Sequence, residues 1–236
     1  MKTAVALVAL VALLVSCGGE NKSVAATANS ASKTDVGYAF GVIIGTNMKT
    51  AAVEVDYDSF LSGIKDVLEK GSPKVPVAEA QKTVQQALVA GMAKKAQANL
   101  ARETKFLADN AKKAGIVTTA SGLQYEVLKA GTGAKPLATD SVKVDYVGTL
   151  IDGTTFDSSI ERKEPMVFPL GNGGVIPGWK EGILLMNVGS KYRLYIPSKL
   201  AYGENGTSGK IGPNDTLIFD VDLLSIEPAP KAPAKK

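Results

Sequence analysis

Two rhythms divide the 236-residue chain at Gly115. Up to that glycine the apolar residues recur at helical spacing. Beyond it they alternate in short runs cut by Gly, Pro, Asn and Asp. From Asp35 the first segment carries Tyr38, Val42, Ile43, Ile44 and Met48 around Gly37, Gly41 and Gly45. Each glycine costs a helix roughly 1 kcal/mol relative to alanine. That face is therefore expected to lie close against another helix or a second subunit; the bland alternative is a poorly formed, flexible segment. A second helix is predicted from Tyr57 to Lys70, with Phe60, Leu61, Ile64, Val67 and Leu68 in one stripe and Gly71 at its C-terminal cap. The third begins at Pro76, a first-turn residue, and runs to Gly115 with Gly91 as its internal break. At 1.5 Å per residue it would be roughly 55–60 Å long. Its later part, AKKAQANLARETKFLADNAKK, is polar around the circumference and reads as a solvent-bridging arm. The apolar faces upstream then need a partner, and a second copy of the chain is the simplest one, which implies a homodimer.

After Gly115, strands are predicted at Leu123–Ala130, Ser141–Leu150, Pro165–Leu170, Lys191–Pro197 and Thr216–Ile226. In SVKVDYVGTL the apolar Val142, Val144 and Tyr146 alternate with Lys143 and Asp145. Only GWKEGILLM, after Pro177, reads as helix. The fold class is α+β: a helical front half, then a mainly antiparallel sheet packed on one short helix. EPAPKAPAKK at the end is a Pro/Ala/Lys tail and is expected to be disordered.

Composition and charge change the picture at the N-terminus. Lys2 precedes an unbroken apolar run, Ala4 to Val15, too short to span a bilayer and suited to a secretory signal. The run ends in Leu14-Val15-Ser16-Cys17, which resembles a bacterial lipoprotein signal whose cysteine becomes lipidated. The plainer alternative is a cleaved signal with an incidental cysteine. Cys17 is the only cysteine, so no intramolecular disulfide can form. The chain is expected to be exported and held to a membrane by a lipid anchor. Residues 33–115 carry 12 basic and 9 acidic residues, and residues 116–227 carry 10 and 13. No basic stripe with interleaved aromatics stands out, so nucleic acid is not expected as a partner.

The available chemistry is narrow. The chain has no histidine, which removes Ser-His-Asp, Cys-His and His-zinc sites. Neither common glycine-rich phosphate cradle occurs. No metal and no cofactor are expected. One reaction needs none of these groups: rotation about the bond preceding proline, opposed by an amide-resonance barrier of about 18–20 kcal/mol. A twisted amide is less dipolar than a planar one, so a dry aromatic hollow with a donor or two would favour it. The second half supplies Tyr146, Phe156, Phe168, Trp179, Tyr202 and Phe219, with Val175, Ile176 and Ile211. An ordinary core would use the same residues. Phe156 in DGTTFDSS and Tyr202 in AYGENGTSG, however, are flanked by loop residues, which favours a cleft.

The segments VDYVGTLIDGTTFDSS, VFPLGNGGVIPGWKEGI, LAYGENGTSGKIGP and NDTLIFDVDLL, in this order, resemble the FKBP-type peptidyl-prolyl cis-trans isomerases over Gly122 to Glu227. The lipidated, helical front half is similar in layout to the macrophage infectivity potentiator and FkpA-like group, whose members are dimers with interlocking N-terminal helices. Composition marks a signal peptide (1–16), a flexible tether (17–32) and a disordered tail (228–236); the resemblance implies a helical dimerisation domain (33–75), a long connecting helix (76–115) and an isomerase domain (116–227) between them. It implies Trp179 as the floor of a proline pocket, beside Val175 and Ile176. Tyr146, Phe156, Phe168 and Phe219 would be the walls, Asp157 the carboxylate interacting with Tyr146, Tyr202 a donor to a bound carbonyl, and Ile211 the lining of a flap loop. Met166 stands where many members have an aromatic, and Thr207 where histidine is frequent. Implied ligands are proline-containing unfolded or exported polypeptides and macrolide inhibitors. A dimeric holdase chaperone, with isomerase activity secondary, is the alternative.

Overall fold

The computed structural model describes residues 32–171, 174–207 and 209–227. The signal peptide, Cys17 and its lipidation, the tether before Ser32 and the Pro/Ala/Lys tail all lie outside them. The chain divides into two compact units, residues 1–42 and 43–236.

Helix α1 is Lys33–Thr50. It starts where Ser32 and Asp35 cap each other: the Asp35 amide donates to Ser32 Oγ at 3.1 Å, and Ser32 Oγ donates back to Asp35 at 2.7 Å. In the first unit Tyr38 and Phe40 are 78% and 64% exposed. A Cβ added at Gly37, Gly41 or Gly45 would meet nothing within 4 Å. Among the described residues, this chain does not itself supply the close neighbour those glycines call for.

In the second unit, α2 (Tyr57–Leu68) is capped by Asp56, whose carboxylate accepts from the Ser59 amide at 2.8 Å. Leu61, Ile64, Val67 and Leu68 of its apolar stripe remain 38–79% exposed. Helix α3 (Val77–Asn110) is the long one, about 50 Å at the usual rise. It ends five residues before Gly115. Gly91, an ordinary interruption by propensity, is a contact point: a Cβ there would stand 2.2 Å from the Ala51 carbonyl oxygen.

The expectation of a solvent-bridging arm fails over the last four turns of α3. Asn99, Glu103, Phe106, Leu107 and Asn110 share one face, and that face is docked on the sheet domain. Asn99 Nδ2 donates to the Pro213 carbonyl at 2.8 Å, and Glu103 accepts from the Ser198 amide at 2.6 Å and the Thr216 hydroxyl at 2.8 Å. Asn110 Nδ2 donates to Gln124 Oε1, and Gln124 Nε2 to the Leu107 carbonyl, both at 2.9 Å. The Phe106 and Tyr195 rings are 6.0 Å apart. The helix looks polar all round because its buried face is itself polar, and hydrogen bonds rather than apolar area satisfy it.

The sheet contains β1 (Ile116–Thr118), β2 (Gln124–Lys129), β3 (Ser141–Leu150), β4 (Thr155–Ser158), β5 (Met166–Pro169), β6 (Lys191–Ile196) and β7 (Leu217–Glu227). Its order is β1-β2-β6-β7-β3-β4, antiparallel throughout, and β5 shares the outer edge of β3 with β4. The five strands expected are present; β1 and β4, too short to show a period, are additional. Along β7 the buried Leu217, Phe219, Val221 and Leu223 alternate with Ile218, Asp220 and Asp222. A one-turn helix, α4 (Ser159–Arg162), follows β4, and α5 (Pro177–Leu185) packs against one face of the sheet. The core between α5 and the sheet includes Val142, Val144, Ile183, Leu194 and Ile196, all at 0% exposure. The architecture is α+β, as the sequence implies.

Candidate functional site

Helix α5 explains why the only tryptophan sits beside a Pro-Gly pair. Pro177 occupies the first turn, where its missing N–H is no loss. Gly178 and Gly182, one turn apart, lie against β6; a Cβ would come within 2.4 Å of Ile196 Cγ2 at the first and 2.5 Å of Leu194 Cδ1 at the second. The helix therefore sits unusually close to the sheet and delivers Trp179 into the aromatic core. There the indole meets Tyr146 edge-on at 4.9 Å, Phe219 at 5.0 Å and Phe168 at 5.5 Å. Phe156 extends the cluster, edge-to-face on Phe219 at 5.3 Å. Such arrangements suit the ring quadrupoles and add about 0.5–1.5 kcal/mol per pair beyond burial. Trp179 is 4% exposed, and its buried indole N–H has no hydrogen-bond partner.

Phe156 owes its place to a bulge. Gly148 pairs with Asp157 and Thr149 with Thr155, which leaves Phe156 as the extra residue on β4. Gly148 makes room for it: a Cβ there would lie 2.7 Å from both the Phe156 and Phe219 rings.

Beside the rings stands a polar trio. The Tyr146 hydroxyl donates to Asp157 Oδ2 at 2.5 Å and accepts from Arg162 Nη2 at 2.8 Å. Arg162 also pairs with Asp157 Oδ1, and its guanidinium lies 5.6 Å from the Tyr146 ring centre. Burial pushes the Tyr146 phenol above its usual pKa; Asp157 adds to the rise and Arg162 partly offsets it. Burial also pushes Asp157 upward, but the Tyr146 hydroxyl and the Arg162 guanidinium outweigh it and hold the carboxyl below its usual value. The DSS of DGTTFDSS fixes this corner. Ser158 caps α4 by accepting from the Glu161 amide at 3.1 Å. Ser159 Oγ accepts from the Tyr146 amide at 2.8 Å and donates to Asp145 at 2.7 Å.

The remaining sequence-selected residues divide in two. Val175, Ile176, Met166 and the 7%-exposed Ile211 pack on the same aromatic core. Tyr202 does not join the ring contacts; it stands 44% exposed on the β6–β7 loop. Thr207 pinches that loop, its amide donating to the Ile211 carbonyl at 2.8 Å. Among the described residues no group of three or more His, Cys, Asp or Glu side chains could hold a metal ion.

The family model described as FKBP-type peptidyl-prolyl cis-trans isomerase matches residues 133–224. A second, the domain amino terminal to FKBP-type peptidyl-prolyl isomerase, matches residues 33–127. The FKBP-type isomerase FkpA of Aeromonas hydrophila is 48% identical over 205 residues, 81% of this chain and 75% of that one. The outer membrane protein MIP of Legionella longbeachae is 39% identical over 211 residues, 86% and 90% of the two chains. The crystal structure of FkpA from Escherichia coli superimposes with a TM-score of 0.64 at 37% identity, covering 84% of this chain and 99% of that one.

The chain is an FKBP-type peptidyl-prolyl isomerase. Two contributors to this isomerase's candidate site escape sequence reasoning. Arg162 lies in IERKE, a charge run that reads as solvated surface, and only the turn of α4 brings it back to Tyr146. Gly148 sits in an alternating strand, where a glycine at a core-facing position is the available signal of a close approach.

Proposed function

We propose that residues 116–227 form the isomerase domain and take X-Pro segments against the Trp179 indole. The twisted, less dipolar amide is favoured there by a dry aromatic surround. Tyr146, Phe156, Phe168 and Phe219 would wall this site, and Met166, Val175, Ile176 and Ile211 would make up its apolar remainder. Asp157 and Arg162 hold the Tyr146 hydroxyl. Because burial also favours the neutral phenol, that hydroxyl stays protonated through neutral pH. Asp157, with its side chain 41% exposed, presents carboxylate to the solvent side. Tyr202, exposed on its loop, donates to a substrate carbonyl. The single observation that carries this reading is the set of three rings within 5.5 Å of an indole whose N–H is unspent. Macrolide inhibitors would compete for the same hollow.

Residues 1–16 serve as a lipoprotein signal, Cys17 as the lipidated anchor on the 17–32 tether, and the chain acts on exported polypeptides as they fold. The relative named an outer membrane protein supports that location. Residues 33–75 form the dimerisation domain, and 76–115 connect it to the isomerase. The exposed apolar faces of α1 and α2 support a homodimer and also favour a second reading, a holdase grip on unfolded chains.

The test is isomerisation of an X-Pro peptide by the full chain and by Trp179→Ala. Loss of the ring costs about 3–5 kcal/mol of stability, so circular dichroism must first show the variant folded. Activity is expected to fall at least about tenfold, or 1.4 kcal/mol of transition-state stabilisation. A folded variant with full activity would remove Trp179 from the site.

A further inference from the structure

The β6–β7 loop, which opens at Ser198 and closes at Thr216, is gripped at both ends by α3. Glu103, 7% exposed, is the hinge of this grip. Its carboxylate accepts from the Ser198 amide at 2.6 Å, the Ser198 hydroxyl at 3.1 Å and, across the loop's mouth, the Thr216 hydroxyl at 2.8 Å. One turn earlier, Asn99 donates to the Pro213 carbonyl at 2.8 Å, and Asn214 returns a bond to the Ala96 carbonyl at 3.2 Å. A carboxylate is costly to bury without a cation and is tolerated when several donors converge on it. Here all three donors belong to the loop's two stems and none to the sheet's face. Mere attachment of a helix to a domain would be served by apolar contact anywhere along the seam.

We propose that Glu103 is a positioning residue of the isomerase. By tying Ser198 to Thr216 it fixes the span of the loop that carries Tyr202 and Ile211, so the connecting helix helps to build the pocket. The proposal rests on the reading of Tyr202 and Ile211 as substrate contacts. The grip requires acceptors, not charge. In Glu103→Gln the amide oxygen can replace Oε2, accepting from the Ser198 amide and Thr216, while its NH2 donates to a Ser198 hydroxyl that reverses role.

The experiment measures amide hydrogen exchange and X-Pro peptide kinetics on the full chain and on Glu103→Ala and Glu103→Gln. In Glu103→Ala, exchange across 198–216 is expected to quicken about tenfold while β3 and β7 keep wild-type protection, since the opening is local. KM should rise about three- to tenfold with kcat within about twofold, because fewer molecules hold a competent loop. Glu103→Gln should restore both. Unchanged loop exchange, exchange rising equally in β3 and β7, an unchanged KM, or Gln behaving as Ala would each overturn the proposal. Should Glu103→Ala not fold, Asn99→Ala decides, with a loop-restricted rise expected and its absence fatal. A wild-type chain inactive on X-Pro peptides would instead sink the pocket reading, and the exchange data would still judge the grip.

Discussion

Asp157 is pulled two ways, and the balance is measurable. Desolvation favours its protonated form, whereas the Tyr146 hydroxyl and Arg162 favour the carboxylate more strongly, so its pKa lies below the ordinary value. The unfolded chain, with an ordinary carboxyl near about 3.9, therefore binds the proton more tightly than the folded one. It follows that the stabilisation from Asp157 is complete above that value and disappears as pH falls through the lower, folded one. Urea midpoints for wild type and Asp157→Asn should differ by a constant amount above about pH 5 and converge below about pH 4. A gap that stays constant or widens down to pH 3 would show that the trio does not hold Asp157 ionised. The effect should be modest, because the carboxylate is 41% exposed and water screens the pair.

Elements differ in how far the sequence discloses them, and the reason is the kind of contact each makes. Strands β3 and β7 are visible because one face of each meets the core, which writes period-2 alternation into the residues. Trp179, Phe156 and Asp157 are visible through motif and loop context. Helix α3 is disclosed as a helix but not as a docked one: its seam of Asn99, Glu103 and Asn110 uses polar side chains, and hydrophobic periodicity carries no trace of that. Strand β4 and helix α4 are too short for any period, so Arg162 is hidden with them. Gly91 belongs to the same class. Propensity favours Gly91→Ala by about 1 kcal/mol. Against it stands a Cβ position 2.2 Å from the Ala51 oxygen and 2.9 Å from that of Ala52, both backbone atoms. Overpacking of this sort costs about 1–3 kcal/mol, and main chain cannot swing aside as a side chain can. The steric term should win, lowering the urea midpoint of Gly91→Ala at unchanged slope. A raised midpoint would mean that the loop after α1 gives way freely.

At the scale of the whole molecule, the apolar residues between α5 and the sheet are buried, whereas the apolar stripes of the front helices are not. Tyr38 is 78% exposed on α1, and Leu61 and Leu68 are 50% and 79% exposed on α2. Monomeric proteins scatter single apolar residues over their surfaces but seldom turn a whole helical stripe outward. The glycines of α1 point to what covers it: spaced four apart, with nothing within 4 Å of an added Cβ, they suit a second backbone pressed close. A second copy of the chain meets that need with its own matching face, as closed two-fold assemblies do. The chain lacking residues 1–17 should sediment at about twice its formula mass, and its unfolding midpoint should rise with concentration, because dissociation accompanies unfolding. Gly41→Leu should shift the sedimenting species to monomer while leaving turnover of a short X-Pro peptide unchanged, since Gly41 is not among the residues proposed to take the peptide. A wild-type monomer, or a Gly41→Leu dimer of undiminished stability, would leave the exposed stripes to a different occupant and return weight to the holdase reading.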